Sequence, residues 1–183
     1  MADIVTLSSH GRRYDAVARG LHWGMAGLIL VAFALGLTVD LFPKSWEGGL
    51  VAVHKDIGIG LIVLVVLRLL WRLTHRPPQR VQHTALVGTA AKLGHAALYG
   101  LMALVPVIGL VYSIRRGQSF DFGLFALPPF QAAEPRDITR PIREWHEWAA
   151  YALIGLAGLH ALGALWHHVI RKDDTLRLML PKN

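Results

Sequence analysis

Apolar residues gather along the chain into four long runs separated by polar segments. The first covers about 18–39 (ARGLHWGMAGLILVAFALGLTV), and the second about 49–73, with the core IGIGLIVLVVLRLLW. The third covers roughly 89–114 and the fourth roughly 142–170. Each reaches the ~20 residues a helix needs to cross a ~30 Å hydrocarbon core. The pattern predicts an all-α integral membrane protein, a single four-helix transmembrane bundle over 1–183. Between the second and third runs lies RLTHRPPQRVQHT, where Pro77 and Pro78 break any helix. Pro106 falls inside the third run and predicts a kink, because membrane helices tolerate proline. The stretch 115–141 carries four Pro, four Phe and mixed charges, which predicts a folded cap at the membrane surface.

Composition sharpens this picture. Apolar residues make up 54% of the 183 and charged residues only 17%, too oily a balance for most soluble domains. The net charge of +7 would suit a nucleic-acid binder, but the basic residues flank apolar runs, so they read as membrane anchors and no nucleic-acid partner is expected. With no Cys, disulfides, iron–sulfur clusters and thiolate chemistry are excluded. The first 16 residues are polar and the first run lacks a small-residue cleavage site, which predicts a retained span rather than a signal peptide. All six Trp (23, 46, 71, 145, 148 and 166) fall near predicted helix ends, as an aromatic belt requires. Eleven Lys and Arg lie in the N-terminal segment, the 2–3 loop and the tail, against seven on the opposite side, which predicts cytoplasmic termini.

Ten His are the candidate chemistry. His10, His75 and His83 sit in polar segments and His168 at a helix end, where solvated side chains are expected. Six fall in the spans: His22, His54, His95, His146, His160 and His167. Histidine facing lipid is costly, so these point into the bundle and do something there. His146 and His160 are fourteen residues apart, ~21 Å of rise and nearly four turns, so one helix presents both on one face at two depths. That is what two stacked haems require, with a second imidazole opposing each. By depth, the outer His146 pairs with His54, and the inner His160 with His22 or His95; spacing alone leaves that choice open. Arg68 lies fourteen residues after His54, at the inner level, with no intramembrane carboxylate nearby. A haem propionate would supply its counter-charge. Glycines cluster beside these positions (20, 24 and 27; 58 and 60; 155, 158 and 163), which would let a flat macrocycle approach the backbone. A zinc or copper transporter is the rival reading, but such sites add Asp, Glu, Cys or Met at one depth, and these helices supply almost none.

The chain resembles the bacterial cytochrome b561 family of small di-haem membrane cytochromes. The likeness rests on RGLHW, HKDIGIGLIVLVVLRLLWRL, KLGHAALYGLMALVPVIGL and REWHEWAAYALIGLAGLHALGALWHH with the following KDDTLRLMLP, in that order and spacing. The resemblance implies two haems b, ligated by His22 with His160 inside and by His54 with His146 outside. It leaves His95 and His167 at the inner face without an iron to bind, and implies that they line a ubiquinone pocket. It further implies a multi-pass protein of the bacterial inner membrane that exchanges electrons between ubiquinone and superoxide or a redox partner protein. The leading expectation is superoxide oxidation outside with quinone reduction inside. The arginines of the 3–4 connection (115, 116, 136, 140 and 143) would attract the anion or simply anchor the interface, and Lys92 would deliver protons or snorkel. A cytochrome b anchor subunit of a hydrogenase or dehydrogenase shares this ligand logic and is the alternative.

Overall fold

The computed structural model describes residues 13–75, 78 and 84–180. His10, His83, Pro77, Arg12, Arg76, Arg80 and Lys182 lie outside them. Four long helices follow one another: α1 Ala16–Thr38, α2 Lys44–Thr74, α3 Ala85–Arg115 and α4 Arg136–Trp166. Their starts carry local signals. Asp15 caps α1 by accepting from the Ala18 amide at 2.8 Å, and the same carboxylate receives the Trp71 indole at 3.1 Å, tying α1 to α2. Prolines at the N-caps of α2 and α4, Pro43 and Pro135, preset the entry of the chain. Pro106 does not end α3, which runs on to Arg115.

Helix α4 begins at Arg136, earlier than the apolar run near residue 142 suggests. Its first turns are polar and lie beyond the hydrocarbon, where the Arg140–Glu144 and Arg143–Glu147 pairs support the helix instead. The folded connection before it is correspondingly shorter. It contains a two-stranded antiparallel hairpin, β1 Phe120–Asp121 with β2 Ala126–Leu127, in register Phe120 to Leu127. Glu134 fastens it to α3: its amide donates to the Arg115 carbonyl at 2.8 Å and its carboxylate receives Arg115 at 3.1 Å. Gly117 is irreplaceable in this turn, with φ +60° and a Cβ position only 2.7 Å from the Ala133 nitrogen. Lys55 reaches over from α2, donating to the Ser119 carbonyl at 2.7 Å and lying over the Phe120 ring.

Backbone packing joins α1 to α2, α2 to α3 and α3 to α4, whereas α4 faces α1 and α2 across side chains. A small core of Met25, Leu61 and Val65, flanked by Ile57 and Met102, holds the middle of the bundle. Only 6–11% of each helix's most apolar window is buried inside the protein. Water could not be the solvent of such a surface; a bilayer can. All four helices are long and apolar enough to cross one.

Helix α4 does not simply stop. It loosens into a π-helical turn, His167–Arg171, and Lys172 then adopts the left-handed region (φ 52°, ψ 34°). That conformation costs a non-glycine residue on the order of 1 kcal/mol. The chain thereby reverses and runs back to the start of α1. There the Leu178 carbonyl accepts the Tyr14 amide at 3.1 Å, and the Met179 carbonyl accepts the Trp23 indole at 2.9 Å.

Met25 is 1% exposed and is the one fully buried α1 residue of the described core, packed with Leu61 and Val65 of α2. Met25→Ala is expected to cost about 2 kcal/mol or more, read as a lowered thermal midpoint of the purified protein; an unchanged midpoint would remove Met25 from this role.

Candidate cofactor site

The structure brings the sequence-selected histidines together in two groups. On the outer side His54 of α2 faces His146 of α4, with ring centroids 6.0 Å apart and planes at 80°. On the inner side His22 of α1 faces His160 of α4 at 6.2 Å and 81°. His95 of α3 also reaches His160, at the shorter distance of 5.2 Å. Two imidazoles held on opposite sides of one metal, each nitrogen about 2 Å from it, would hold their centroids roughly 6 Å apart. His54–His146 and His22–His160 have that spacing, and His95–His160 is the closer contact.

The outer pair is built with unusual regularity. His54 Nδ1 donates to the Ala32 carbonyl at 2.9 Å, and His146 Nδ1 donates to the Val105 carbonyl at 2.9 Å. A carbonyl only accepts, so each ring carries its proton on Nδ1 and leaves the Nε2 lone pair for a ligand. In both cases a glycine stands four residues after the carbonyl. The Cβ built on Gly36 would sit 3.3 Å from His54 Cε1, and that on Gly109 2.9 Å from His146 Cε1. Helical side chains lean toward the N-terminus, so the residue at i+4 covers the carbonyl of residue i. Glycine there uncovers it for the imidazole. The same device thus serves His54 on α1 and His146 on α3.

These two glycines are not the ones the sequence singles out. At positions 20, 24, 27, 60, 155, 158 and 163 an added Cβ would meet nothing within 4 Å, and at Gly58 only Pro106 at 3.9 Å. Those glycines leave open helix faces and are not close helix–helix contacts, which agrees with room for a broad flat group. Around the outer pair the faces form an apolar cleft lined by Ala32, Phe33, Gly58, Pro106 and Leu153 besides the two histidines. Nothing in a single sequence links Gly36 to His54 or Gly109 to His146, since both contacts cross between helices.

The inner level is arranged differently. Arg68 donates to His22 Nδ1 at 3.0 Å and to the Tyr99 hydroxyl at 3.1 Å, and it approaches the Met25 sulfur at 4.0 Å. None of these partners is an anion. Guanidinium only donates, so His22 here accepts on Nδ1 and carries its proton on Nε2. Ligation through Nε2 requires Arg68 to let go, and a propionate at this level gives it a better partner. His95 donates from Nδ1 to Ala91 of its own helix at 2.6 Å and is largely exposed.

His167 lies one α4 segment further in, half-sheltered, and its Nδ1 meets Asp173 Oδ2 at 2.6 Å. Burial alone would raise the Asp173 carboxyl, but hydrogen bonds from Thr175 and His167 outweigh it and hold the group down at about 2. His168 is half-buried, with Nδ1 out of contact with solvent and without a hydrogen-bond partner among the described residues. The sequence reading also missed Asp173, because it sought partners for the histidines only inside the spans.

A four-helix membrane bundle that presents paired imidazoles at two depths is the architecture of a membrane cytochrome b. The family model described as prokaryotic cytochrome b561 matches residues 13–182, and the chain belongs to that family. It is 34% identical over 177 residues to "Cytochrome b561 homolog 2" of Escherichia coli, covering 93% of each chain. It is 30% identical over 173 residues to "Probable superoxide oxidase CybB" of Yersinia pestis, covering 93% of this chain and 97% of that one. "Cytochrome b561 homolog 1" of Escherichia coli is 31% identical over 173 residues. The chain is therefore an electron-transfer protein of the membrane, and the family carries haem b.

Gly109→Ala should displace the His146 ring and lower haem affinity about tenfold, with Gly36→Ala weaker because its clearance is larger. Haem b per polypeptide, measured on purified variants, checks this; equal haem content in both variants and the parent would contradict it.

Proposed function

We propose that this chain carries electrons across the bacterial inner membrane on two haems b, as a superoxide:ubiquinone oxidoreductase. The observation that carries the reading is the pair of imidazole pairs, one at each depth, spaced for a shared metal. His54 and His146 hold the outer group through Nε2, with Nδ1 anchored on backbone carbonyls. His22 and His160 hold the inner one. The wider His22–His160 spacing supports His22 over His95 as the partner of His160. Arg68 turns from His22 to balance a propionate. Haem b held by two imidazoles is coordinatively saturated and supplies one-electron transfer without opening the iron to oxygen.

His95 and His167 remain on the inner side, where they take the carbonyls of ubiquinone. Two superoxide anions each give up one electron and leave as O2, and one ubiquinone gains two electrons and two protons to leave as ubiquinol. The name of the Yersinia relative supports superoxide as the donor. Steering of that anion falls less to the arginines of the 3–4 connection than the sequence suggests. Arg115, Arg140 and Arg143 pair with Glu134, Glu144 and Glu147, which cancels much of their field. Lys55, next in sequence to His54, spends its hydrogen bond on a backbone carbonyl and keeps its charge at the outer mouth. The excess of cations near the termini supports cytoplasmic ends, which puts the His22 level inside.

Enzymatically generated superoxide should reduce the haem of the purified protein, and a short-chain ubiquinone should reoxidise it. His167→Ala should leave the first step intact and slow the second roughly tenfold. Reduction only in the presence of a soluble dehydrogenase partner would instead make the chain an anchor subunit.

A further inference from the structure

The reversal at the end of α4 places a carboxylate against the histidine assigned to quinone. Asp173 uses both oxygens: Oδ1 accepts the Thr175 amide at 2.9 Å, and Oδ2 accepts His167 Nδ1 at 2.6 Å. Its own amide closes onto the His167 carbonyl at 3.2 Å. The first contact steadies the carboxylate against the backbone, and the tail beyond is tied to Tyr14 before α1 and to Trp23 within it. The imidazole is thereby held against a carboxylate that the turn itself anchors.

We infer that Asp173 is a positioning residue for quinone reduction, holding His167 with its proton on Nδ1 and its Nε2 toward the quinone oxygen. The inference rests on the assignment of ubiquinone to His167. For each ubiquinone, two electrons arrive from the donor on the outer side and two protons from inner water. His167 in its imidazolium form gives a proton from Nε2 to the quinone oxygen and keeps Nδ1–H on Asp173. It is reprotonated at Nε2 for the next transfer. An ionised carboxylate, as Asp173 is at neutral pH, stabilises the imidazolium and fixes the productive tautomer. Without it, the ring is free to carry its proton on the wrong nitrogen.

Asp173→Asn tests this in the full-length haem-loaded protein, with superoxide as donor and a short-chain ubiquinone as acceptor. Asparagine can still accept the Thr175 amide, but then presents an amide N–H to His167 and favours the other tautomer. Turnover should fall roughly tenfold or more with KM changed by less than about twofold. Haem content, haem spectrum and thermal midpoint should match the parent. Asp173→Glu should recover part of the rate, and Asp174→Asn, whose carboxylate meets Arg177 and not His167 among the described residues, should change nothing. In a His167→Ala background, Asp173→Asn should slow turnover no further.

Parent-like turnover in Asp173→Asn overturns the inference alone. So does a further loss in the His167→Ala background, or a loss that tracks haem content or thermal midpoint. A parent protein whose haem superoxide reduces but ubiquinone does not reoxidise overturns the quinone assignment, and the inference with it.

Discussion

An imidazole inside hydrocarbon has two ring nitrogens to satisfy, and no water to satisfy them. At the outer level the protein meets that constraint by giving Nδ1 of His54 and His146 to backbone carbonyls of neighbouring helices. Each hydrogen bond selects one tautomer and aims one lone pair into the space between α4 and α2. The rest of the site depends on those bonds. They require a carbonyl already engaged in a helix to be reachable from the side, hence glycine at 36 and 109. They also require α4 to stand off from α2 with side chains between, hence a packing order that runs around the bundle and leaves α4 facing α1 and α2 across a cleft.

The inner level solves the same problem with a charge. Arg68 sits among a hydroxyl, a thioether and His22, held by neutral groups only. A guanidinium in such surroundings is poised to exchange weak partners for an anionic one, and the proposed inner haem would couple release of His22 to charge compensation at Arg68. On that proposal the outer rings are preorganised and the inner ones would be switched into place, a physical reason for the two levels to differ in affinity and potential.

Much of this was legible in the sequence because hydrocarbon leaves few choices. Run length set the number of helices, and helical rise set the depth of each histidine, so His54 with His146 followed without a structure. The choice of His22 over His95 did not follow from spacing, since both lie at one depth, and only the family resemblance favoured His22. Helix α4 started earlier than its apolar run because its first turns are held by ion pairs above the membrane, where hydropathy is silent. Gly36, Gly109 and Asp173 escaped for a common reason. Each acts through a contact that no local period encodes: two across helices, one across a chain reversal made by a left-handed lysine.

Four histidines, paired by depth, are proposed to hold two haems, and the haem b content per polypeptide measures this in the parent, His54→Ala, His22→Ala and the double variant, all purified from the membrane. Two haems are expected in the parent, then one, one and none, with His95→Ala retaining both. A single haem in the parent, or a haem lost with His95 and kept without His22, would contradict it.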